Sequence, residues 1–395
     1  MATRQGRGGT PELADIVRAH GAAFRAAHVL CSVQHRALTA IERCRTAALG
    51  GELRACDACG ERRYVYHSCR NRHCPKCQTR AKEAWLAARR SELLPVPYFH
   101  LVFTLPHELN ALAQGNPRTI YALLFAAAAE TLVEFGANPR WLGGSIAATL
   151  VLHTWGQTLS QHLHVHALVA AGALGDDGRW IGSRRGFLFP VKALSAVFRG
   201  KVLAATAQAL ERGRLTFSGT TAALSEERTQ RTLLAQLRSK AWVVYAKRPF
   251  AGPAQVLDYL GRYTHRTAIS NERIVAMDAS RVHFRFKDYA QNARRRTMAL
   301  EAHEFLRRFA LHILPRGFMR IRHYGLLANR NKRALLAAAR AALDAPTPAI
   351  TGAPPESVAI FWQRVAGIDI TRCTHCGLGN LHLIATITPQ PRPPP

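Results

Sequence analysis

Acidic side chains are scarce in this 395-residue chain: 25 Asp and Glu stand against 54 Lys and Arg, a formal net charge of +29. So positive a field holds polyanions and releases their counterions on binding, and small acidic metabolites do not require it. Also missing is any stretch of the roughly 20 uncharged apolar residues that a membrane span needs. The opening run MATRQGRGGTPELAD has no apolar leader core, so a soluble protein that stays inside the cell is expected. The cysteines number nine, an odd count, with seven before residue 78 and two near the C-terminus. That distribution does not suit a secreted disulfide framework; in a reducing cytoplasm clustered thiols read as metal ligands. No internal repeat is visible. A hydrophobic content of 48% excludes wholesale disorder, and the length suggests two or more units.

Apolar residues recur at helical spacing from 11 to 49, as in ELADIVRAHGAAFRAAHVL. Between 50 and 80, Cys, His, Arg and aromatics replace aliphatic residues, which predicts a small metal-held module, followed by a basic helix over 80–94. Strands are predicted at 98–105, 145–153, 162–171, 215–218 and 242–247. Helices are predicted at 119–135, 226–240 and through GPAQVLDYLGRYTHRTA. RIVAMDASRVHFRFKDY reads as a hairpin turning at 278–280, RRRTMALEAHEFLRRFALHIL as a helix, FMRIRHYG as a short strand and 328–343 as a basic helix.

Three constellations carry chemistry. Cys56-x2-Cys59 and Cys74-x2-Cys77 supply four thiolates that can wrap tetrahedrally around Zn2+. Free cysteines grouped by coincidence would instead be reactive in a basic setting and gain nothing. Cys44, Cys69, His67 and His73 are left over for a second site, although lone His and Cys residues are more often satisfied structural groups. Around them Arg62, Arg63, Tyr64, Tyr66, Arg70, Arg72, Lys76 and Arg80 suit phosphate contact with base stacking.

The second constellation is His162-Leu163-His164-Val165-His166. Residues two apart on a strand point the same way, so three imidazoles share one face while Leu163, Val165 and Leu168 fall on or near the opposite, buried one. Three convergent imidazoles make a metal site; the bland alternative is a solvated polar face or a purely structural zinc. Third, in Asp258-Tyr-Leu-Gly-Arg-Tyr-Thr-His-Arg266 the i, i+4 spacing stacks Tyr259 and Tyr263 on one helical face, with Arg262 and Arg266 beside it. A phenol with a pKa near 10 attacks a phosphodiester only with cations and a metal nearby. Taken alone, the pair reads more readily as two tyrosines packed in an amphipathic core.

In combination these motifs resemble a known family. HLHVH resembles the HUH motif of rolling-circle endonucleases, LVFTLP the first strand motif of that superfamily, and YLGRYTHR its paired-tyrosine motif. With YVYHSCRNRHCPKCQ and FMRIRHYGLLANRNK, the chain from His35 to Cys376 resembles the insertion-sequence-91 family of two-tyrosine rolling-circle transposases. The resemblance implies an α+β fold, an HUH-type antiparallel sheet with flanking helices plus a small N-terminal zinc-binding module. It implies a division into residues 1–95 (helical, zinc-binding and DNA-binding), 96–345 (catalytic) and 346–395 (linker, cysteine knuckle and disordered tail). His164 and His166 become ligands of a catalytic Mg2+ or Mn2+, with His162 as the third ligand or else His153. Tyr259 and Tyr263 become nucleophiles that form 5′-phosphotyrosine links, Cys56, Cys59, Cys74 and Cys77 bind structural Zn2+, and Arg70, Arg72, Lys76, Arg262 and Arg266 bind DNA. The pair Cys373-x2-Cys376 with His375 resembles a family knuckle, but one CxxC is half a site. Glu52 stands where relatives carry His. The implied partner is single-stranded DNA at transposon ends and target, with no membrane and no small-molecule substrate, in a bacterial cytoplasm and nucleoid-associated. Two rivals stay open: a zinc-dependent DNA-binding regulator without catalysis, and a metal-dependent hydrolase using activated water.

Overall fold

A computed structural model describes residues 10–184, 186–250, 255, 256, 259, 261, 264, 267–346 and 356–390. In chain order its elements are α1 (Leu13–Ala27), α2 (Ser32–Glu42), β1 (Gly51–Cys56), β2 (Arg62–Tyr66), α3 (Gln78–Arg90), β3 (Tyr98–Thr104), α4 (Asn110–Gly115) and α5 (Pro117–Ala137). There follow β4 (Gly144–Trp155), β5 (Gln161–Gly175), β6 (Trp180–Gly182), α6 (Val191–Glu211), α7 (Glu227–Ser239) and β7 (Val244–Phe250). The last are β8 (Ile274–Met277), β9 (Arg281–Asp288), β10 (Arg294–Glu301), α8 (Ala302–Ala310), β11 (Ile321–Gly325), α9 (Lys332–Ala341), α10 (Val358–Ala366) and β12 (Leu381–Ile387). Residues 255, 256, 259, 261 and 264 are also helical.

Two compact units result, and neither is continuous in sequence. One takes the described residues of Met1–Glu83, His265–Arg307 and Ala349–Pro395; the other takes those of Ala84–Thr264 and Arg308–Pro348. The three-part division expected from the sequence therefore gives way to an interleaved one. Its physical reason is strand pairing: β12 lies antiparallel on β1, from Gly51 opposite Ile387 to Cys56 opposite Leu381, a contact that composition along the chain cannot signal.

In the first unit, Leu13, Ile16, Val17 and Phe24 of α1 are buried together with Leu38 and Ile41 of α2. Its sheets are β12-β1-β2 and β10-β9-β8. The hairpin turns where expected, with Asp278 Oδ1 accepting from the backbone of Ser280 and Arg281. The predicted helix over RRRTMALE is instead strand β10, because all eight residues pair with β9, from Arg294 opposite Asp288 to Glu301 opposite Arg281. Pairing to an existing edge overrides a weak helical preference.

The second unit is built on a six-stranded sheet in the order β11-β4-β5-β3-β7, with β6 added to β5, and every pairing is antiparallel. Leu163, Val165, Ala167 and Val169 of β5 share one apolar core with residues of α5 and α6, including Phe125 and Phe198. The ring of Phe103 on β3 meets Phe198 edge-on at 5.1 Å. On the other face Leu168 and Ala170 pack with Leu86, Val256, Leu326 and Leu336. Among the described residues one helix, α5, is long and apolar enough to cross a membrane by length and composition, but Glu130 and Glu134 interrupt its apolar run, as the sequence implies, and it is mostly buried in this core. The strand expected at 215–218 is absent. Asn116 substitutes for a strand partner, its Oδ1 accepting from Thr216 N at 2.7 Å and its Nδ2 donating to Thr216 O at 2.8 Å.

His312 closes the turn between β4 and β5. Fully buried, it sits 3.0 Å from the Leu159 carbonyl through Nε2 and 3.1 Å from the Thr154 hydroxyl through Nδ1. Burial pushes its pKa down from 6.5 to about 4. Between those pH values the unfolded chain binds a proton that the folded one refuses, so this contribution to stability is present above 6.5 and is lost as the pH falls toward 4. The loss reaches on the order of 3 kcal/mol. Urea unfolding across this range is expected to show a steeper acid loss for the native chain than for His312→Gln, which does not titrate.

Candidate metal centres and active site

Three strands deliver four imidazoles to one face of the second unit's sheet. Because β4 pairs with β5 so that His153 lies opposite His164, and because 164 and 166 share a face, His153, His164 and His166 bring their ring nitrogens within 4.8 Å of one another. The Nε2 atoms of His164 and His166 are 3.1 Å apart. His164 Nδ1 lies 2.9 Å from the His162 carbonyl. A carbonyl only accepts, so the proton is on Nδ1 and the Nε2 lone pair is free for an ion. His166 Nδ1 lies 2.8 Å from Nε2 of His100, which β3 contributes. His153 is buried and stacks on Trp155, the centroids 4.4 Å apart.

Burial keeps His100, His164 and His166 uncharged. It holds His164 well below its ordinary pKa and brings His166 and His100 to about 3, with Lys247 and the neighbouring imidazoles adding to the effect. Neutral imidazoles with converging lone pairs suit a divalent cation. The phenol joins the set from the helical residues: Tyr259 Oη is 3.0 Å from His100 Nε2 and 3.1 Å from Nδ1.

The site corrects two expectations from the motif. His162 is exposed at the start of β5 and outside the three-histidine group, which His153 completes; its carbonyl meets the group at His164 Nδ1. Leu168 lies on the histidine face, where parity with 164 and 166 puts it, and continues that face as apolar core. His100 was not foreseen. The available signal was a lone imidazole inside the otherwise apolar and aromatic run YFHLVFTL. Tyr263, Arg262 and Arg266 lie outside the described residues.

The cysteines of the first unit form two tetrads, and both divide the set expected from sequence. Cys74 and Cys77 join Cys44 and Cys69, while Cys56 and Cys59 join Cys373 and Cys376. The expected grouping fails because β1 and β2 carry the first CxxC to their connecting turn beside β12, whereas the second CxxC opens α3 near the end of α2. In the first tetrad Sγ of Cys77 is 3.5 Å from Cys44 and 3.6 Å from Cys69, and Cys74 is 3.7 Å from Cys44. Four sulfurs about 2.3 Å from a tetrahedral zinc stand about 3.8 Å apart, so the thiols fit that ion. Among the basic residues nearby, Arg70 is exposed, Arg72 is half-buried, and Lys76 is half-buried in an ion pair with Glu12.

Thiol tetrads in one unit and clustered imidazoles in the other give a strongly basic protein two kinds of side-chain group that could hold a metal ion. Comparison with known proteins gives its family. A family model described as "Transposase zinc-binding domain" matches residues 16–105, and one described as "Putative transposase" matches 147–334. The "Putative transposase y4qJ" of Sinorhizobium fredii is 48% identical over 388 residues, 97% of each chain. The "Transposase for insertion sequence element IS801" of Pseudomonas savastanoi pv. phaseolicola is 29% identical over 363 residues, 90% of this chain and 85% of that one. The chain belongs to the IS91 family of transposases and carries that family's N-terminal zinc-binding domain. Among solved structures, the conjugative relaxase TrwC in complex with mutant oriT DNA aligns at 16% identity and a TM-score of 0.23, over 43% of this chain and 67% of that one. So slight a likeness carries no argument. His100 falls in the first family match; His153, His164, His166 and Tyr259 fall in the second.

The geometry yields a ranking of the histidines. His100→Ala removes the imidazole that meets His166 Nδ1 and is expected to weaken Mn2+ binding by about tenfold or more. His153→Ala is expected to abolish it, while His162→Ala changes it little. Calorimetric titration of the three variants with Mn2+ checks the order.

Proposed function

We propose that the chain moves its element by rolling-circle transposition, cutting and rejoining single-stranded DNA through 5′-phosphotyrosine links to Tyr259 and Tyr263. The observation that carries this reading is the phenol of Tyr259 beside the buried imidazole set, 3.0 Å from His100, which is itself 2.8 Å from His166. His153, His164 and His166 would hold a Mg2+ or Mn2+ ion, whose chemistry is to polarise a phosphate and spread its developing charge. The residues fit that group, since the ring nitrogens of all three lie within 4.8 Å of one another and burial keeps His164 and His166 neutral.

Tyr259 is the attacking group. Its oxygen bonds to phosphorus and loses its proton, the bond from phosphorus to the 3′ oxygen breaks, and that oxygen leaves as a hydroxyl after taking up a proton. The DNA 5′ phosphate stays on the tyrosine. His100 contributes by position, fixing both the phenol and the ring of His166. Tyr263, four residues further along the sequence, would make a second link while the first persists, as moving an element's end requires. A regular duplex buries its phosphodiesters in a stiff, paired helix, whereas a single strand can bend into reach of a tyrosine on a helix. The net charge of +29 supplies the attraction that tracks its phosphates.

Mixing the chain with a labelled single-stranded oligonucleotide carrying the element's end is expected to give a covalent adduct that survives denaturing electrophoresis. Tyr259→Phe with Tyr263→Phe should abolish the adduct while DNA retention persists. An adduct in the double variant would remove the tyrosines from the mechanism, and cleavage without any adduct would point to hydrolysis by water. The same sequence as relaxed duplex should be cut weakly or not at all. Binding should fall by orders of magnitude between about 50 and 200 mM salt if several phosphates are contacted.

A further inference from the structure

The second cysteine tetrad lies partly outside both family matches: Cys56 and Cys59 belong to residues 16–105, but Cys373 and Cys376 follow residue 334. We propose that these four thiolates bind a second Zn2+, and that this ion ties the C-terminal segment into the N-terminal unit as one zinc ribbon. The proposal stands apart from the catalytic reading and needs nothing from the histidine site.

The two half-sites are built alike. Cys56-Asp-Ala-Cys59-Gly60 and Cys373-Thr-His-Cys376-Gly377 have the same spacing and the same following glycine. In each, the glycine N–H donates to the carbonyl of the first cysteine at 3.0 Å. Each glycine also adopts the left-handed conformation, with φ of 71° at Gly60 and 69° at Gly377, that turns the chain back and aims both thiols one way. The pairs then face each other. Cys56 Sγ is 3.7 Å from Cys376 Sγ and Cys59 Sγ is 3.8 Å from Cys373 Sγ, matching the roughly 3.8 Å edge of a tetrahedral zinc–thiolate site. Gly379 N–H points at Cys376 Sγ from 3.5 Å, a donor that would stabilise a thiolate.

The surroundings hold the halves in that register. Asp57, inside the first knuckle, accepts from Asn380 N at 2.8 Å and lies 3.0 Å from His382 Nε2, while its own N–H donates to Asn380 O at 3.1 Å. Behind the knuckles β12 runs along β1, making β1 the central strand of the three-stranded sheet. Two knuckles on such a sheet form a ribbon with a closed, four-sulfur site, the arrangement of structural zinc. The Cys74-Pro-Lys-Cys77-Gln78 sequence lacks the glycine and leads into α3, which explains why it pairs elsewhere.

Metal analysis of the full chain, purified without chelator, is expected to give two zinc ions per molecule. Replacing Cys373 and Cys376 together by Ser should leave one, as should replacing Cys74 and Cys77. Alkylation of the native chain with N-ethylmaleimide, read by mass spectrometry, needs no variant and guards against misfolding. Cys31, which belongs to neither tetrad, should react at once, and Cys56, Cys59, Cys373 and Cys376 should be protected together and exposed together by a chelator. The proposal is overturned if Cys373 and Cys376 react as fast as Cys31, if the Cys373 and Cys376 variant keeps two zinc ions, or if the second ion is iron.

Discussion

Strand β5 is hydrogen-bonded on both sides, and the histidine site follows from the register of those two ladders. Its odd-numbered residues, Leu163 to Val169, are committed to the core shared with α5 and α6, so its even-numbered residues are committed to the other face. A slip of one residue would push His164 and His166 into a dry apolar core and turn Leu163 and Val165 out of it. The hydrophobic pattern thus protects the site without touching it. Pairing with β4 and β3 then brings in His153 and His100, residues that are distant in sequence but adjacent across the ladders.

Local pattern made most of the second unit readable. Alternation and strand composition located β3, β4, β5, β7 and β11, and the HLHVH spacing located two of the three clustered imidazoles. What escaped was non-local. The choice between His162 and His153 depends on which residue lies opposite His164, and that is set by an irregular register near Trp155. His100 looked like an isolated polar residue until its neighbour across the sheet was known. In the first unit the CxxC spacing identified the ligand type but misassigned the partners, because proximity in sequence is a poor guide when a strand from the far end completes the sheet. The glycine after Cys59 and after Cys376, missing after Cys77, was the local clue to the true pairing.

Closing the ribbon from Cys59 to Cys373 spans 314 residues. The entropy of bringing such ends together grows only with the logarithm of length and costs about 5 kcal/mol here. Apparent zinc binding to small thiolate and imidazole sites, about 10–16 kcal/mol at neutral pH, exceeds that cost. A metal clip between distant segments is therefore affordable in this fold, where packing of β12 alone would be weak, since its residues Leu383 and Ile384 remain largely exposed.

The ribbon also has a timing consequence. A ribosome adding about 5–20 residues per second needs on the order of a minute or less to pass from the first knuckle to the second. Throughout that interval the early knuckle holds two thiolates and has no opposite pair. The sheet bearing the histidines is synthesised before the ribbon can close. A chain cut short anywhere before Cys373 lacks the second pair of thiols and cannot finish the ribbon, so closure reports that synthesis has passed the catalytic sheet and reached the second knuckle.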